Sequence, residues 1–483
     1  MQNKKNNTLT KSILILLALC LLFTQFLTGC SSSHDNKTFV DINGKLKVIG
    51  SQLCNQKKEP IQLKGISSHS IHMFGRFVNV DTIRHLRDDW GMTLFRAAMY
   101  TEEGGYIKNP DIKKKVQEAV QAAIDTGIYI IIDWHILSDG DPNKYKTQAK
   151  EFFNEMATLY GKYPNVIYEI CNEPNGKEVT WSDSIKPYAD EVIAEIRKID
   201  PDNIIIVGTD TWSQGIDAVE KAPLDYSNIM YALHFYAGTH EQWLRDRLDY
   251  CLGKNIPVFV SEWGTSLSTG SDGVYSTETL EWISFLNERK ISWVNWSLSD
   301  KPESSAALAP SAGSKGGWTD SDLSESGLLV KYLMKGENEA PFFCEGFESM
   351  LFTSGSWDAN GAMILQDKAA PSGDYVAILK NNNTITKTKS TKGYKNIKLE
   401  LTYNSNNLKN GDSFIIEWFD GKTWRVLKEI QENNEWVAKE YDIPETSANN
   451  PDFAIRFTAS LSDSTSKVSL DEIKLIGEKT LDK

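Results

Sequence analysis

Two glutamates stand where apolar, strand-like runs stop: Glu173 in Ile170-Cys171-Asn172-Glu173-Pro174 and Glu262 in Val260-Ser261-Glu262-Trp263-Gly264. A carboxylate just past the last buried position of a strand is held by the sheet yet faces its mouth. Two such groups facing one another can divide the cleavage of a glycosidic bond. One is protonated and donates to the leaving oxygen; the other stays ionised and attacks the anomeric carbon. Either glutamate alone reads as a surface carboxylate at a strand end. The same placement occurring twice gives the pair its meaning.

The elements that must position them follow a repeating pattern. Short runs rich in Ile, Val, Tyr and Phe at 61–69, 93–100, 128–135, 166–173, 204–210, 229–236, 257–262 and 291–297 alternate with longer amphipathic segments. Eight strands alternating with helices predict a closed (β/α)8 barrel of the TIM type. Helices are expected at Asp111 to Thr126, with Val116, Val120, Ala123 and Ile124 on one face, and at Thr277 to Arg289; Gly127 and Gly161 punctuate helix ends. In such a barrel the C-terminal strand ends build the site. Here those ends carry His69, Arg96, Trp134-His135, Asn172-Glu173, Asp210 and Trp212, His234 and Tyr236, Glu262-Trp263 and Trp296. Three of the seven histidines on one rim have no structural reason to gather there.

Each residue type has a task in sugar chemistry. Arg96 can hold an ionised Glu262 by charge-assisted hydrogen bonds, Tyr236 can bond the same group, and Asn172 can donate to a sugar 2-hydroxyl. Trp212 and Trp296 offer flat faces for pyranose rings, with core packing as the alternative. His135 and His234 can orient hydroxyls or carboxylates. No G-x-G-x-x-G follows the first strand, and H-x-H after the first strand, H-E-x-x-H and G-x-S-x-G are absent. Gly421-Lys422-Thr423 lacks the upstream glycine of a phosphate loop, Ile416 standing there. No metal, nucleotide or other cofactor is implied.

Length allows more than the barrel, since 483 residues exceed one domain at about 150 residues each. Met1 to Lys11 carries three lysines and no acid, Ile13 to Leu27 is almost wholly apolar, and Leu27-Thr28-Gly29-Cys30 follows. This predicts a lipoprotein signal over 1–29, a lipidated Cys30 and a tether over 30–38, placing the protein at the outer face of the cell envelope. Losing those lysines takes the net charge from −13 to −16. Such a charge repels nucleic acid and is indifferent to neutral polysaccharide, and a single chain is expected. Cys54, Cys171, Cys251 and Cys344 are widely spaced and read as buried free thiols. Phe39 to Leu63 reads as a hairpin with its turn at Asn43-Gly44. The barrel domain is placed at 39–338. Beyond about 340, alternating runs at Ile397–Tyr403, Ser413–Trp418 and Phe453–Phe457, with turns at Asn410-Gly411-Asp412 and Asp420-Gly421-Lys422, predict a β-sandwich over 341–483. Trp357, Trp418, Trp424 and Trp436 serve its core or an exposed face. That domain binds polysaccharide, spaces the barrel or stabilises it.

The chain resembles glycoside hydrolase family 5, and within it the bacterial endoglucanases called cellulases, from about residue 39 to 336. The resemblance rests on Leu63 to His69, Phe95 to Tyr100, Asp133-Trp134-His135, Tyr168 to Pro174, Gly208 to Gln214, His234-Phe235-Tyr236, Ser261 to Gly264 and Asn295 to Lys301. It implies a retaining endo-β-1,4-glucanase with Glu173 as acid/base and Glu262 as nucleophile, surrounded by Arg96, Tyr100, His135, Asn172, His234 and Tyr236. It further implies His69, Trp296, Lys301 and Glu303 as glycone-side residues, Trp212 as an aglycone-side platform, and a cis peptide at Trp296-Ser297. Met73 stands where these enzymes usually present a tryptophan, which leaves chain-length preference and polymer open. The carboxylates do not report the sugar, so a mannanase or xylanase on the same scaffold, or a surface glycan-binding protein without turnover, stay as alternatives. The tail resembles jelly-roll accessory domains of secreted glycosidases.

Overall fold

A computed structural model of the chain describes residues 37–480 apart from 337–338, 348–349, 353–355, 372–374, 432 and 464. The expected signal, Cys30 and most of the tether lie outside the described residues. The hairpin expected between 39 and 63 is present, but shifted. Phe39–Asn43 is a short helix, and Gly44, at φ 62°, leaves it in the left-handed conformation that glycine adopts without cost. Asn43-Gly44 is therefore a helix end. The hairpin turns instead at Gly50-Ser51, between β1 (Lys47–Ile49) and β2 (Gln52–Cys54).

All eight expected barrel strands form: β3 (Lys64–Ser68), β4 (Leu94–Tyr100), β5 (Tyr129–His135), β6 (Val166–Glu169), β7 (Ile205–Val207), β8 (Ile229–Tyr236), β9 (Val258–Gly264) and β10 (Trp293–Leu298). They pair in parallel and in sequence order, β10 closing on β3. Strands covered by helices outside and by one another's side chains inside are buried on both faces, which is why they read as unbroken apolar runs. The helix expected at 111–126 opens with a 3-10 turn at Pro110–Ile112 and continues as Lys113–Thr126, ended by Gly127 at φ 69°. The one expected at 277–289 spans Ser276–Glu288. Gly161 follows the helix Lys146–Tyr160 with a right-handed backbone; what demands glycine there is close approach to Ala157 and Asp200.

The barrel interior is built in storeys. At the base Leu94, Ile131, Ile167, Ile206, Met230, Phe259 and Val294 pack together, sealed from below by Leu46 and Leu53 of the β1–β2 segment. Alternation along each strand brings a polar set to the next storey: Ser67, Arg96, Asp133, Glu169, His234 and Ser261, all at 2% exposure or less. One departure from alternation matters. Opposite Ala232 to His234 of β8, β9 runs from Phe259 to Glu262, and opposite Trp293 to Asn295 of β10 it runs from Val260 to Trp263. This is a β-bulge, and it turns both Ser261 and Glu262 inward although they are adjacent in sequence.

After the helix Glu325–Lys335 the chain becomes all β, beginning at Glu339, two residues ahead of the expected boundary. One antiparallel sheet orders Met363–Gln366, Tyr375–Leu379, Lys467–Lys479, Tyr394–Asn406 and Asn433–Asp442, with Glu339–Glu345 also on Lys467–Lys479; the other orders Asp358–Asn360, Thr384–Thr388, Ala454–Ser460, Ser413–Phe419 and Trp424–Ile430. Tyr403 and Phe414 meet across the two at 5.5 Å. Trp357 and Trp418 are core residues and Trp424 and Trp436 are half-buried. Asp320 of the barrel bonds Lys331 at 3.2 Å and Lys474 of the sheets at 3.0 Å, and Lys331 also holds Asp89. Cys54, Cys171 and Cys251 are buried free thiols; the Cys344 side chain lies outside the described set. Among the described residues no helix is long and apolar enough to cross a membrane.

Candidate active site

Above the polar storey opens a cleft of about 470 Å³. Its floor carries Glu173, Glu262 and His234, and one carboxylate oxygen of each glutamate and a ring nitrogen of His234 lie within 4.8 Å of one another. Glu173 follows β6, and its position depends on Gly208 opposite: a Cβ there would stand 2.3 Å from Cys171 O and 2.8 Å from Asn172 O. Glu262 comes from the β9 bulge. Gly264, two residues on, admits the Tyr236 ring, which a Cβ would meet at 2.3 Å.

Arg96 lies beneath the cleft, fully buried in mid-strand, not at the strand end. Its guanidinium reaches five groups: Glu169 Oε2 at 2.7 Å, Glu262 Oε2 at 3.0 Å, Asp133 Oδ2 at 3.0 Å, Asn172 Oδ1 at 2.6 Å and Ser67 Oγ at 3.4 Å. Glu262 also accepts from the Tyr236 hydroxyl at 2.9 Å. Burial and then the charges of Glu262 and Glu173 push that phenol well above its ordinary value, so it remains a donor. Burial and then the Glu173 charge push the Glu262 carboxyl up as well. Arg96 and Tyr236 oppose that rise, since both bond the ionised form of Glu262.

His234 donates from both ring nitrogens. Ser261 Oγ gives its proton to Glu169 Oε1 at 2.7 Å and so offers a lone pair to His234 Nε2 at 3.0 Å, while Nδ1 faces Glu173 Oε1 at 3.0 Å. Burial works against the imidazolium, but Glu169 and Glu173 outweigh it and lift His234 to about 9. Glu169 is opposed by burial too, yet Arg96 and His234 hold it down at about 2. Burial sends Asp133 well above the carboxylate range, and its Oδ1 has no hydrogen-bond partner. His135 Nδ1 bonds Asp133 at 2.7 Å, and burial and then Arg96 keep this ring neutral. Asn172 is fully buried: its Nδ2 donates to Ile136 O at 3.0 Å and lies 3.3 Å from His135 Nε2.

One wall is a run of near-parallel rings, Tyr100 on His135 at 4.3 Å and 3°, and His135 on Trp296 at 5.2 Å and 16°. The Trp296–Ser297 peptide is cis. Beside it Lys301 Nζ bonds Glu303 Oε2 at 2.6 Å and reaches His69 Nε2 at 3.3 Å. Burial and then Lys301 depress His69 to about 3, leaving it neutral. At the far end Trp212 is 48% exposed and stands on Thr211-Trp212-Ser213, three successive residues at φ 54–56°, a strained backbone for side-chain-bearing residues. Ser213 Oγ ties this turn to Asn172 O at 2.7 Å, and Trp212 N ties it to Pro174 O at 3.1 Å.

Every expected site residue except Arg96, Asn172 and the undescribed Cys30 lines the cleft itself, and those two form its floor supports. Three further strand-end expectations are corrected. Trp134 and Trp263 face outward, packing on Phe152 and Phe235, because their neighbours His135 and Glu262 take the inner face. Asp210 turns away to accept from Trp181 N at 3.3 Å. Met73 is 50% exposed outside the cleft, while Phe74 packs on His69 at 5.0 Å. Sequence reasoning missed His240 and the Ser268–Gly270 loop in the lining. It also missed Ser261 and Glu169, whose signal is a polar group amid apolar strand residues. Glu173, His234 and Glu262 are the one set of three with cation-ligand spacing among the described residues, but both His234 nitrogens are already engaged.

Residues 54–302 match the family described as Cellulase (glycosyl hydrolase family 5). An endoglucanase of Clostridium saccharobutylicum is 54% identical over 336 residues, 69% of this chain and 75% of that one. Endoglucanase A of Evansella cellulosilytica is 56% identical, over 66% of this chain and 65% of its own length. Among solved structures, the catalytic domain of Thermobifida fusca endoglucanase Cel5A is 39% identical with a TM-score of 0.59, covering 61% of this chain and 99% of that one. A variant of that enzyme is known in complex with cellotetraose.

Proposed function

The chain belongs to glycosyl hydrolase family 5, and from that premise we propose that it hydrolyses internal β-1,4 bonds of cellulose or a related β-glucan by double displacement. The observation that carries this reading is the approach of Glu173 and Glu262, whose carboxylate oxygens come within 4.8 Å. A gap near 5 Å leaves no room for water between acid and anomeric carbon and calls for a covalent glycosyl-enzyme.

In this reading Glu173 protonates the leaving glycosidic oxygen while Glu262, steered by Arg96 and Tyr236, attacks the anomeric carbon; Glu173 then takes a proton from the water that releases the sugar. The 3.3 Å Asn172–His135 contact is a long one, and a sugar 2-hydroxyl would replace it. Trp296, Tyr100, His69, Lys301 and Glu303 receive the glycone side and Trp212 the aglycone side. A cleft lined by Trp296, Lys301 and Glu303 and also by Thr211, Trp212 and Gln214 supports cutting within a chain. Identities of 54–57% to endoglucanases favour glucan over mannan or xylan.

The proposal extends to the chain as a whole. The pattern of residues 1–30 supports a lipid on Cys30 and a place on the outer face of the cell envelope, with residues 39–338 as a catalytic domain acting as a monomer. Residues 341–483 then serve as an accessory domain, a reading supported by the Asp320–Lys474 bridge. The test is NMR of the products from a cello-oligosaccharide together with viscometry of a soluble glucan. Initial release of the β-anomer with rapid loss of viscosity is expected. Inversion at the anomeric carbon, or no release, overturns the reading.

A further inference from the structure

We infer that Glu169, buried one storey below the cleft, is a positioning residue that sets the working protonation of both catalytic glutamates. The inference rests on the double-displacement reading of Glu173 and Glu262. Glu169 sits in β6 at no exposure and touches neither the cleft nor any reacting atom. Its two oxygens point in different directions. Oε2 takes Arg96 Nε at 2.7 Å, and Arg96 Nη1 passes on to Glu262 at 3.0 Å. Oε1 takes the Ser261 hydroxyl at 2.7 Å; Ser261 then has only a lone pair for His234 Nε2, so that nitrogen must carry hydrogen. The remaining nitrogen, Nδ1, is the one shared with Glu173. An ionised carboxylate that accepts but cannot donate thus decides, two bonds away, which ring nitrogen of His234 is free to trade a proton with Glu173. The β9 bulge exists in the one place that serves both arms, since it brings Ser261 inside next to Glu262.

The groups facing His234 from the packed elements are Arg96 on β4, Asp133 and His135 on β5, Glu169 and Glu173 on and after β6, and Ser261 and Glu262 on β9, with Tyr236 on its own strand. Deleting the Glu169 charge while keeping its shape lowers the proton affinity of every one of these neighbours. Glu169→Gln should therefore shift both limbs of the kcat/KM profile on soluble β-glucan to lower pH, by about one unit. Its kcat should fall roughly 10–100-fold through the disturbed relay. Ser261→Ala removes the hydroxyl link of the His234 arm, with Glu169 Oε1 left 3.7 Å from His234 Nε2: the alkaline limb should move and the acid limb stay.

Histidine ring NMR reads the same chain without substrate, and His234 should titrate at lower pH in Glu169→Gln than in the wild type. A profile that merely drops in height, with both limbs and the His234 titration unmoved, overturns the inference. If Glu169→Gln does not fold, Ser261→Ala decides alone, an unmoved alkaline limb overturning the inference and a moved one supporting it. Failure of the wild type to release sugar with retention would instead strike the double-displacement reading.

Discussion

Tyr236→Phe removes one oxygen atom and nothing else from the site. The lost bond runs 2.9 Å to Glu262, a residue only 4% exposed, so water has little access to replace it. A hydroxyl bonded to a buried carboxylate contributes about 1.5–3 kcal/mol. Its kinetic weight depends on the step. As the glycosyl-enzyme forms, Glu262 gives up its charge; as it breaks down, the charge returns and the phenol stabilises it. If about half the charge has returned at the transition state, breakdown slows by roughly 3–10-fold. The variant should then lose kcat more than kcat/KM, and an aryl cellobioside should show a burst of released phenol. Losing a donor that favours ionised Glu262 also moves the acid limb of kcat/KM upward, by about one pH unit. The sign follows because a carboxyl already raised by burial is raised further. A variant that loses kcat/KM while kcat holds, with its acid limb in place, refutes this account.

Glu262→Gln keeps the shape that Arg96 and Tyr236 hold while removing the nucleophile, so hydrolysis of carboxymethylcellulose should fall on the order of 10⁴-fold or more with oligosaccharide binding retained in calorimetry. Trp212→Ala deletes the exposed platform at a cost of about 1 kcal/mol, so KM for cellopentaose should rise roughly fivefold while short aryl glycosides react as before. Asp320→Ala breaks the junction between barrel and sheets and should lower stability by about 2 kcal/mol, read as a fall in Tm at neutral pH. Burial opposes ionised Asp320, but Lys474 and Lys331 outweigh it and hold the carboxyl below its ordinary value. Its contribution is therefore present above the unfolded pKa of about 3.9 and fades as pH drops through the folded one, so the gap in Tm should close in acid.

Much of this was legible in the sequence. A parallel barrel strand is covered on both sides, so its sequence is an apolar run, and all eight were visible for that reason. The residues at their ends were visible because polar groups interrupt such runs where cover stops. Trp134 and Trp263 were misplaced although alternation already held the answer: with His135 and Glu262 inside, their neighbours had to face the helices. Asn43-Gly44 was misplaced because the same pair serves a hairpin turn and a helix end, and only the chain after Gly44 distinguishes them. Ser261 could not be read, since strict alternation sends one of two adjacent residues outward and the extra residue shows only when β9 lies between β8 and β10. Glu169 was hidden differently. A single acid within Val166–Glu169 acquires its meaning from Arg96 and Ser261, which the sequence places 73 and 92 residues away.

The extra residue in β9 makes that strand a ruler with one notch too many. Removing one position between Phe259 and Trp263 would restore regular spacing, and the barrel would close with either Ser261 or Glu262 displaced among the outer aromatics Phe235 and Trp293. Such a shortened chain would keep its groove and lose its turnover, so the length of seven residues, more than any one side chain among them, is what inheritance must guard.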